Sequence, residues 1–271
     1  MSDFLLDDVV RLYANAAPVF LSRLSPIILV LHVSLFTLQF AWDLIRWNLS
    51  DSNTLAGVAR RLLVFLITYG LIIMIPLWLP QLLRGWEELG QLVSQMPGLG
   101  PSAIFNQGIA LAFGVYDSWE EFAILILPGV NVLRLIVFLA TLIAWVVIAF
   151  HLAKLLVESA IAVGGLPIML AFAGHSVTFG MAEGFFRYLI HLGVRIYVTY
   201  LLVAVGRHLA IEWAQDIELS FPLNIMTESV TLAAGAALFA LLVVALPRTI
   251  AHHIAGGISF AGLNPLGHRD A

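Results

Sequence analysis

The sequence predicts an all-α fold, a polytopic membrane helix bundle with about five transmembrane helices, one broken or re-entrant segment, and peripheral amphipathic helices. Composition is the first reason. Of 271 residues, 61% are hydrophobic and 11% charged, and the mean hydropathy is +0.98. Soluble domains run at ~45–50% apolar and ~25% charged, so this chain has too few charges to coat a globule in water. The second reason is a set of uncharged runs near the ~20 residues that cross ~30 Å of hydrocarbon. The third is apolar residues at helical spacing between those runs.

Residues 1–25 form an N-terminal amphipathic helix, with Leu5, Val9, Leu12 and Tyr13 on one stripe. Asp3, Asp7 and Asp8 stand where a signal peptide has its positive region, so the first span is expected to target the chain. Residues 26–80 hold two spans. Pro26 to Trp42 is uncharged and closed by Asp43 and Arg46, with Trp42 and Trp47 at an interface. Leu62 to Leu79 follows Arg60 and Arg61 and is ended by Pro76, Trp78 and Pro80.

Residues 81–121 carry five acidic residues against Arg84 alone, which suits an outer, periplasmic face. Leu82, Leu83, Trp86, Leu89, Leu92 and Val93 recur at helical spacing, and a second such piece runs from Ser102 to Tyr116. These two helices either lie on the outer membrane surface or on partners, or cover the ends of their own bundle. Residues 122–250 form the core. Val130 to Phe150, Tyr188 to Val205 and Ser229 to Leu246 complete the spans, with a periplasmic loop at 207–228. Arg134, one turn into the third span, is expected to snorkel to the interface.

The segment 155–173 is apolar but contains Glu158, Gly164, Gly165 and Pro167. Glycine and proline inside so short a run predict a broken segment whose freed backbone groups need protein or water. A short tail, 251–271, closes the chain.

Positive charge sets the predicted topology. With five crossings and the N-terminus outside, Arg46, Arg60, Arg61, Lys154, Arg187, Arg248 and Arg269 lie inside, seven against the four of Arg11, Arg23, Arg84 and Arg207. Making 155–173 a sixth crossing leaves five inside against six outside, so five crossings are preferred, with a cytoplasmic C-terminus.

Enzyme motifs fail one by one. The one lysine, Lys154, follows Ala153 and cannot complete a Gly-Lys-Ser/Thr phosphate loop. None of the eight histidines is followed by glutamate, which excludes the metalloprotease helix motif. Ser259 approaches a nucleophile elbow without its second glycine and reads as a helix-ending loop. His252, His253 and His268 make a poor metal set, because adjacent helical residues point ~100° apart. With no cysteine and a net charge of −4, thiol chemistry and a basic nucleic-acid surface are excluded too. No catalytic, cofactor or metal site is predicted.

What remains is polar residues at membrane depth, where each charge costs roughly 2.5–3.5 kcal/mol on insertion scales. Arg187, His191 and Arg195 are spaced by four and stack on one helix side. His151, Lys154 and Glu158, spaced by three and four, form a second stripe. Glu158 is expected to neutralise Arg187 or Arg195. The two stripes serve either as static glue between helices or as part of a translocation path. Gly164, Gly165, Gly180, Gly184 and Gly235 are candidates for close helix packing, within a subunit or between subunits.

Several stretches together carry a family resemblance. Val157 to Gly206 combines an acidic start, a small-residue run, Leu-x-Phe-x-Gly at Leu170 to Gly174, an Arg-Tyr pair at Arg187 and Tyr188, and Gly193-Val194 before a cation. Gly98 to Ala112 (GLGPSAIFNQGIALA), and Leu246 to Phe260 with its Leu-Pro and Gly-Gly-Ile-Ser-Phe, add to it. In order and spacing these segments resemble the TrbL family of conjugative-transfer proteins, related to the polytopic VirB-type inner-membrane subunit of type IV secretion systems. That resemblance implies a non-enzymatic channel or scaffold subunit in the bacterial inner membrane, a homo-oligomer beside other secretion subunits and their ATPases. The passenger would be DNA with its relaxase, or effector proteins. The chain departs from many members in having only 24 residues after Pro247, so contacts attributed to a long polar tail do not carry over. The competing reading is a stand-alone small-solute transporter or channel; such transporters often pair broken helices across an internal repeat, and 155–173 has no counterpart in the N-terminal half.

Overall fold

A computed structural model describes residues 5–48, 54–93, 99–119, 128–219 and 222–257, and among them the secondary structure is helical throughout. The helices are α1 (Leu5–Asn48), α2 (Thr54–Val93), α3 (Pro101–Ser118), α4 (Pro128–Gly164), the four-residue α5 (Ile168–Ala171), α6 (Phe179–Leu219) and α7 (Pro222–Gly256), with a 3-10 turn at Phe172–Gly174. Among the described residues five stretches are long and apolar enough to cross a membrane: Leu5–Arg46, Gly57–Val93, Asn131–Gly174, Phe179–Glu212 and Met226–Gly256. The third includes the broken segment, so the five-span helical bundle expected from composition is what the fold contains. Leu66, Phe150 and Leu241 each expose more than 60% of their surface, as befits helices that are apolar on the outward side as well.

The expected boundary between an N-terminal surface helix and a first span is not a helix end. α1 runs 44 residues, through Pro18 and Pro26, or roughly 66 Å at ~1.5 Å per residue. α2 likewise continues through Pro76 and Pro80, which the sequence reads as its stop, and takes in the whole Leu82 to Val93 stripe. Proline leaves an acceptor without its donor, and in lipid-embedded helices nearby side chains repair such gaps. The carbonyls that lose a donor to Pro26 and Pro76 are those of Ser22 and Ile72; the side-chain bonds found nearby, Ser25 Oγ to the Leu21 carbonyl at 2.7 Å and Trp78 Nε1 to the Leu71 carbonyl at 3.1 Å, go to the adjacent residues.

The chain divides into two compact units, and the five long helices each contribute to both. One unit comprises Met1–Arg11, Trp86–Leu156 and Val194–Ile250. Its organising element is α3, whose Pro101, Ile104, Gly108, Ala112 and Val115 are buried at helical spacing. A Cβ on Gly108 would sit 2.2 Å from the Trp145 Cβ, so α3 lies directly on α4 there. Both ends of α3 are tied: the Asp7 carboxylate accepts the Ser102 N–H at 3.1 Å, and Arg134 Nε donates to the Tyr116 carbonyl at 2.7 Å. Trp119 Nε1 donates to Ser229 Oγ at 2.8 Å. One face of α3 is thus buried within its own unit, while Phe113 on another is 51% exposed.

Arg134 corrects an expectation. It does not snorkel outward; it is 7% exposed, with its guanidinium carbon 3.5 Å from the Tyr116 ring centroid. The C-terminal carbonyls of α3 and an aromatic face provide the negative potential that an interface would otherwise supply.

The second unit comprises Leu12–Gly85, Val157–Gly193 and Ala251–Ala271. It holds α1 and α2 side by side with the broken segment and the start of α6, and it contains the candidate site.

Candidate functional site

α4 ends where the sequence requires it to. Gly165 N–H makes the last helical bond, to Ile161 at 2.9 Å, and Pro167 has no N–H to continue the ladder. From Leu166 to Thr178 the backbone passes through α5, the 3-10 turn and an extended His175. Non-helical backbone among apolar spans needs protein partners. Thr178 Oγ1 closes part of it by donating to the Phe172 carbonyl at 2.8 Å.

The rest is held by α1. His32, fully buried, places Nδ1 3.2 Å from the Ala171 carbonyl. A carbonyl only accepts, so Nδ1 carries the proton and donates. Nε2 faces Thr68 Oγ1 at 3.1 Å, while that hydroxyl also lies 2.9 Å from the Val64 carbonyl. Thr68 has a single hydroxyl proton, which serves either the ring or its own helix. The His32 ring stacks on Phe65 with centroids 5.2 Å apart.

Two turns along α1, Gln39 Oε1 accepts both the Ser176 N–H, at 3.3 Å, and the Ser176 hydroxyl, at 2.9 Å. Gln39 Nε2 donates to Asp43 Oδ1 at 3.1 Å. Asp43 Oδ2 then meets Arg61 Nε of α2 at 2.6 Å, an ion pair whose side chains are only 6% and 9% exposed. That contact is electrostatic rather than a well-aligned hydrogen bond. A polar chain therefore runs from the broken segment through Gln39 and Asp43 to Arg61. Gly174 permits the close approach, because a Cβ there would lie 2.6 Å from the His32 carbonyl oxygen and 3.0 Å from the Phe36 nitrogen.

This cluster can hold backbone in place and can rearrange hydrogen bonds. Among the described residues no three His, Cys, Asp or Glu side chains gather to hold a metal ion.

The residues singled out by sequence are distributed differently. Glu158, half-buried, accepts a hydrogen bond from Tyr188 Oη at 2.9 Å. Arg187 is half-exposed and pairs with Glu183 at 2.9 Å, one turn back on α6. Its neighbour Phe186 stacks against Trp78, with ring centroids 6.2 Å apart. His151, His191 and Arg195 are half-buried, and Lys154 is exposed.

Of the candidate packing glycines, Gly164 approaches the Ala17 backbone, where a Cβ would meet Cα at 3.2 Å. A Cβ on Gly165 would meet only its own helix, at 3.6 Å; Gly180 and Gly184 face open space; Gly235 is half-buried. Tighter approaches occur at Gly206, where a Cβ would lie 2.0 Å from the Phe239 ring, and at Gly90, 2.8 Å from the Tyr200 Cβ. Ser259 and His268 fall outside the described residues; His252 and His253 are exposed.

Sequence reasoning missed the α1 cluster. The signal was present, since His32, Phe36, Gln39 and Asp43 recur at helical spacing on one face of an otherwise apolar span.

Comparison with known proteins gives one match. A family model described as TrbL/VirB6 plasmid conjugal transfer protein matches residues 36–246, most of the chain. No curated protein and no solved structure matches it.

Proposed function

The chain belongs to the TrbL/VirB6 plasmid conjugal transfer family, and on that premise we propose that it is an inner-membrane channel or scaffold subunit through which a type IV secretion machine passes its substrate. Membership makes it a multi-pass membrane component of a conjugal transfer system, in a family of structural rather than catalytic parts. The finer role rests on the broken segment between Gly165 and Thr178. Irregular backbone at this depth is tolerated where it packs in protein or lines a cavity, and it recurs where membrane proteins pass a substrate.

On this reading the passenger is a DNA–relaxase complex or an effector protein, and the energy comes from partner ATPases. Several copies assemble with the other inner-membrane and periplasmic subunits, because the thirteen cations of one chain are too few to track a long nucleic acid. The N-terminus lies on the periplasmic side and the C-terminus in the cytoplasm. His151, Lys154, Glu158, Arg187, His191 and Arg195 then serve helix pairing or the passage itself.

The test is deletion of the gene in a donor cell, with a photo-crosslinking residue placed at Val177, which is 83% exposed beside the broken segment. Transfer is lost on deletion and restored by the wild-type chain, and passenger DNA or relaxase is recovered crosslinked to position 177. Undiminished transfer from the deletion strain, with altered uptake of a small solute instead, overturns the reading in favour of a stand-alone transporter.

A further inference from the structure

A small cavity of about 20 Å³ in the second unit lies between Phe36 of α1, Arg61 of α2, Gly174 and Ser176 of the broken segment, and Phe179 at the start of α6. A water molecule needs ~10–15 Å³, so there is room for one and little more. The walls are polar as well as aromatic. A guanidinium and a hydroxyl stand among the rings, and Gly174, having no side chain, presents only backbone. Arg60, adjacent in sequence, is exposed, and the uncharged run of α2 begins at Leu62, so the cavity sits where that run meets its charged flank.

Hydrogen-bond accounting singles out Arg61. Its guanidinium carries donors on all three nitrogens. Among the described residues its ion-pair partner is Asp43, reached through Nε, and it forms no further bond with them. The side chain is nevertheless only 9% exposed. Donors left unmet at such burial cost more than immobilising one water. Ser176 supplies the complement, because its hydroxyl proton goes to Gln39 and its oxygen keeps lone pairs that can accept.

We propose that a single internal water molecule occupies this cavity, accepting from the amino groups of Arg61 and donating to Ser176 Oγ. The polar chain that leads from Ser176 through Gln39 and Asp43 to Arg61 then returns to its starting residue and closes as a ring. The break is held at Ser176 from two sides, by Gln39 and by the water. Of the ring's five members only the water exchanges with solvent, so it brings hydration to irregular backbone that lies among apolar spans.

Hydroxyl-radical footprinting tests this in the full chain in mild detergent, because a short X-ray pulse makes the radical from water in place and marks the side chains nearest to it. Phe179 bounds the cavity and is 8% exposed; Phe185, 3% exposed, does not bound it. Wild type is expected to label Phe179 several-fold faster than Phe185, a ratio read within one molecule and so insensitive to global opening. Replacing Asp43 and Arg61 together by leucine removes the donors without stranding a charge, and brings the ratio close to one. Ser176→Ala, a smaller change at a half-buried residue, removes the acceptor and also lowers it. A ratio near one in wild type, or the wild-type ratio persisting in either variant, overturns the proposal. So does labelling of Phe179 that a bulk radical scavenger suppresses as fully as at Tyr13, which is 43% exposed, since the cavity would then be a crevice of bulk solvent. None of these readings involves substrate transfer, so their failure leaves the channel or scaffold role untouched.

Discussion

Asp7 and Ser102, 95 residues apart, cap each other's helices. The Asp7 carboxylate accepts the Ser102 N–H in the first turn of α3, and Ser102 Oγ accepts the Asp7 N–H in the first turn of α1, both at 3.1 Å. Two helix N-termini meet there, and one carboxylate serves the positive end of both. Gly100 makes room, since a Cβ would stand 2.7 Å from an Asp7 carboxylate oxygen.

Asp7→Ala and Ser102→Ala should each destabilise by about 1–2 kcal/mol, the usual worth of a helix cap. The double variant should cost less than the sum, because the two residues share one arrangement. Thermal unfolding in detergent measures this. Additive losses would show that the caps act separately.

Gln39→Leu and His32→Ala should loosen the broken segment without unfolding the bundle. Each leaves buried hydrogen-bonding groups without a partner, at ~1–3 kcal/mol apiece, which is enough to raise local opening roughly tenfold. The chain has no cysteine, so a single one introduced at buried Ala173 reports that opening through its maleimide labelling rate. Unchanged labelling would mean that the segment is held by its own turns.

Asp43→Ala or Arg61→Ala should cost about 3–5 kcal/mol, because each strands a buried charge. Replacing both by leucine should recover most of the loss. Membrane yield and melting temperature of the three variants decide it; a double variant as damaged as the singles would make the pair a positive contributor to stability.

Gly206→Ala should lower stability by about 1–3 kcal/mol through overpacking against Phe239. Gly180→Leu and Gly184→Leu should leave the melting temperature of the isolated chain unchanged, since both positions face open space. If substrate transfer nevertheless falls in those two, that face is used by a second chain; unchanged transfer assigns it to lipid.

Much of the architecture was legible because the bilayer imposes lengths and forbids exposed backbone. Uncharged runs located all five spans, and Gly164-Gly165 with Pro167 located the break, since two adjacent glycines leave the helical backbone weakly constrained just where proline withdraws a donor. Helix ends were less legible. Pro76 and Pro80 read as a stop and are interior, because each removes only one helical hydrogen bond and the apolar surroundings favour continued helix. Arg134 read as an interfacial residue and is buried, because its partner is the end of α3, an element whose position depends on packing.

The sequence by itself determined that lipid is the solvent, that five helices are long enough to span it, where the chain must break, and to which family it belongs. Those properties depend on composition, run length and residue order, all local along the chain. Which side chains satisfy the break was decided only in the tertiary structure. His32 and Gln39 reach Ala171 and Ser176 across 139 and 137 residues, and Gly174 rather than Gly180 or Gly184 is where two backbones meet. Hydrogen bonds and close contacts act over a few ångströms, and separation in sequence says nothing about which distant residues come within that range.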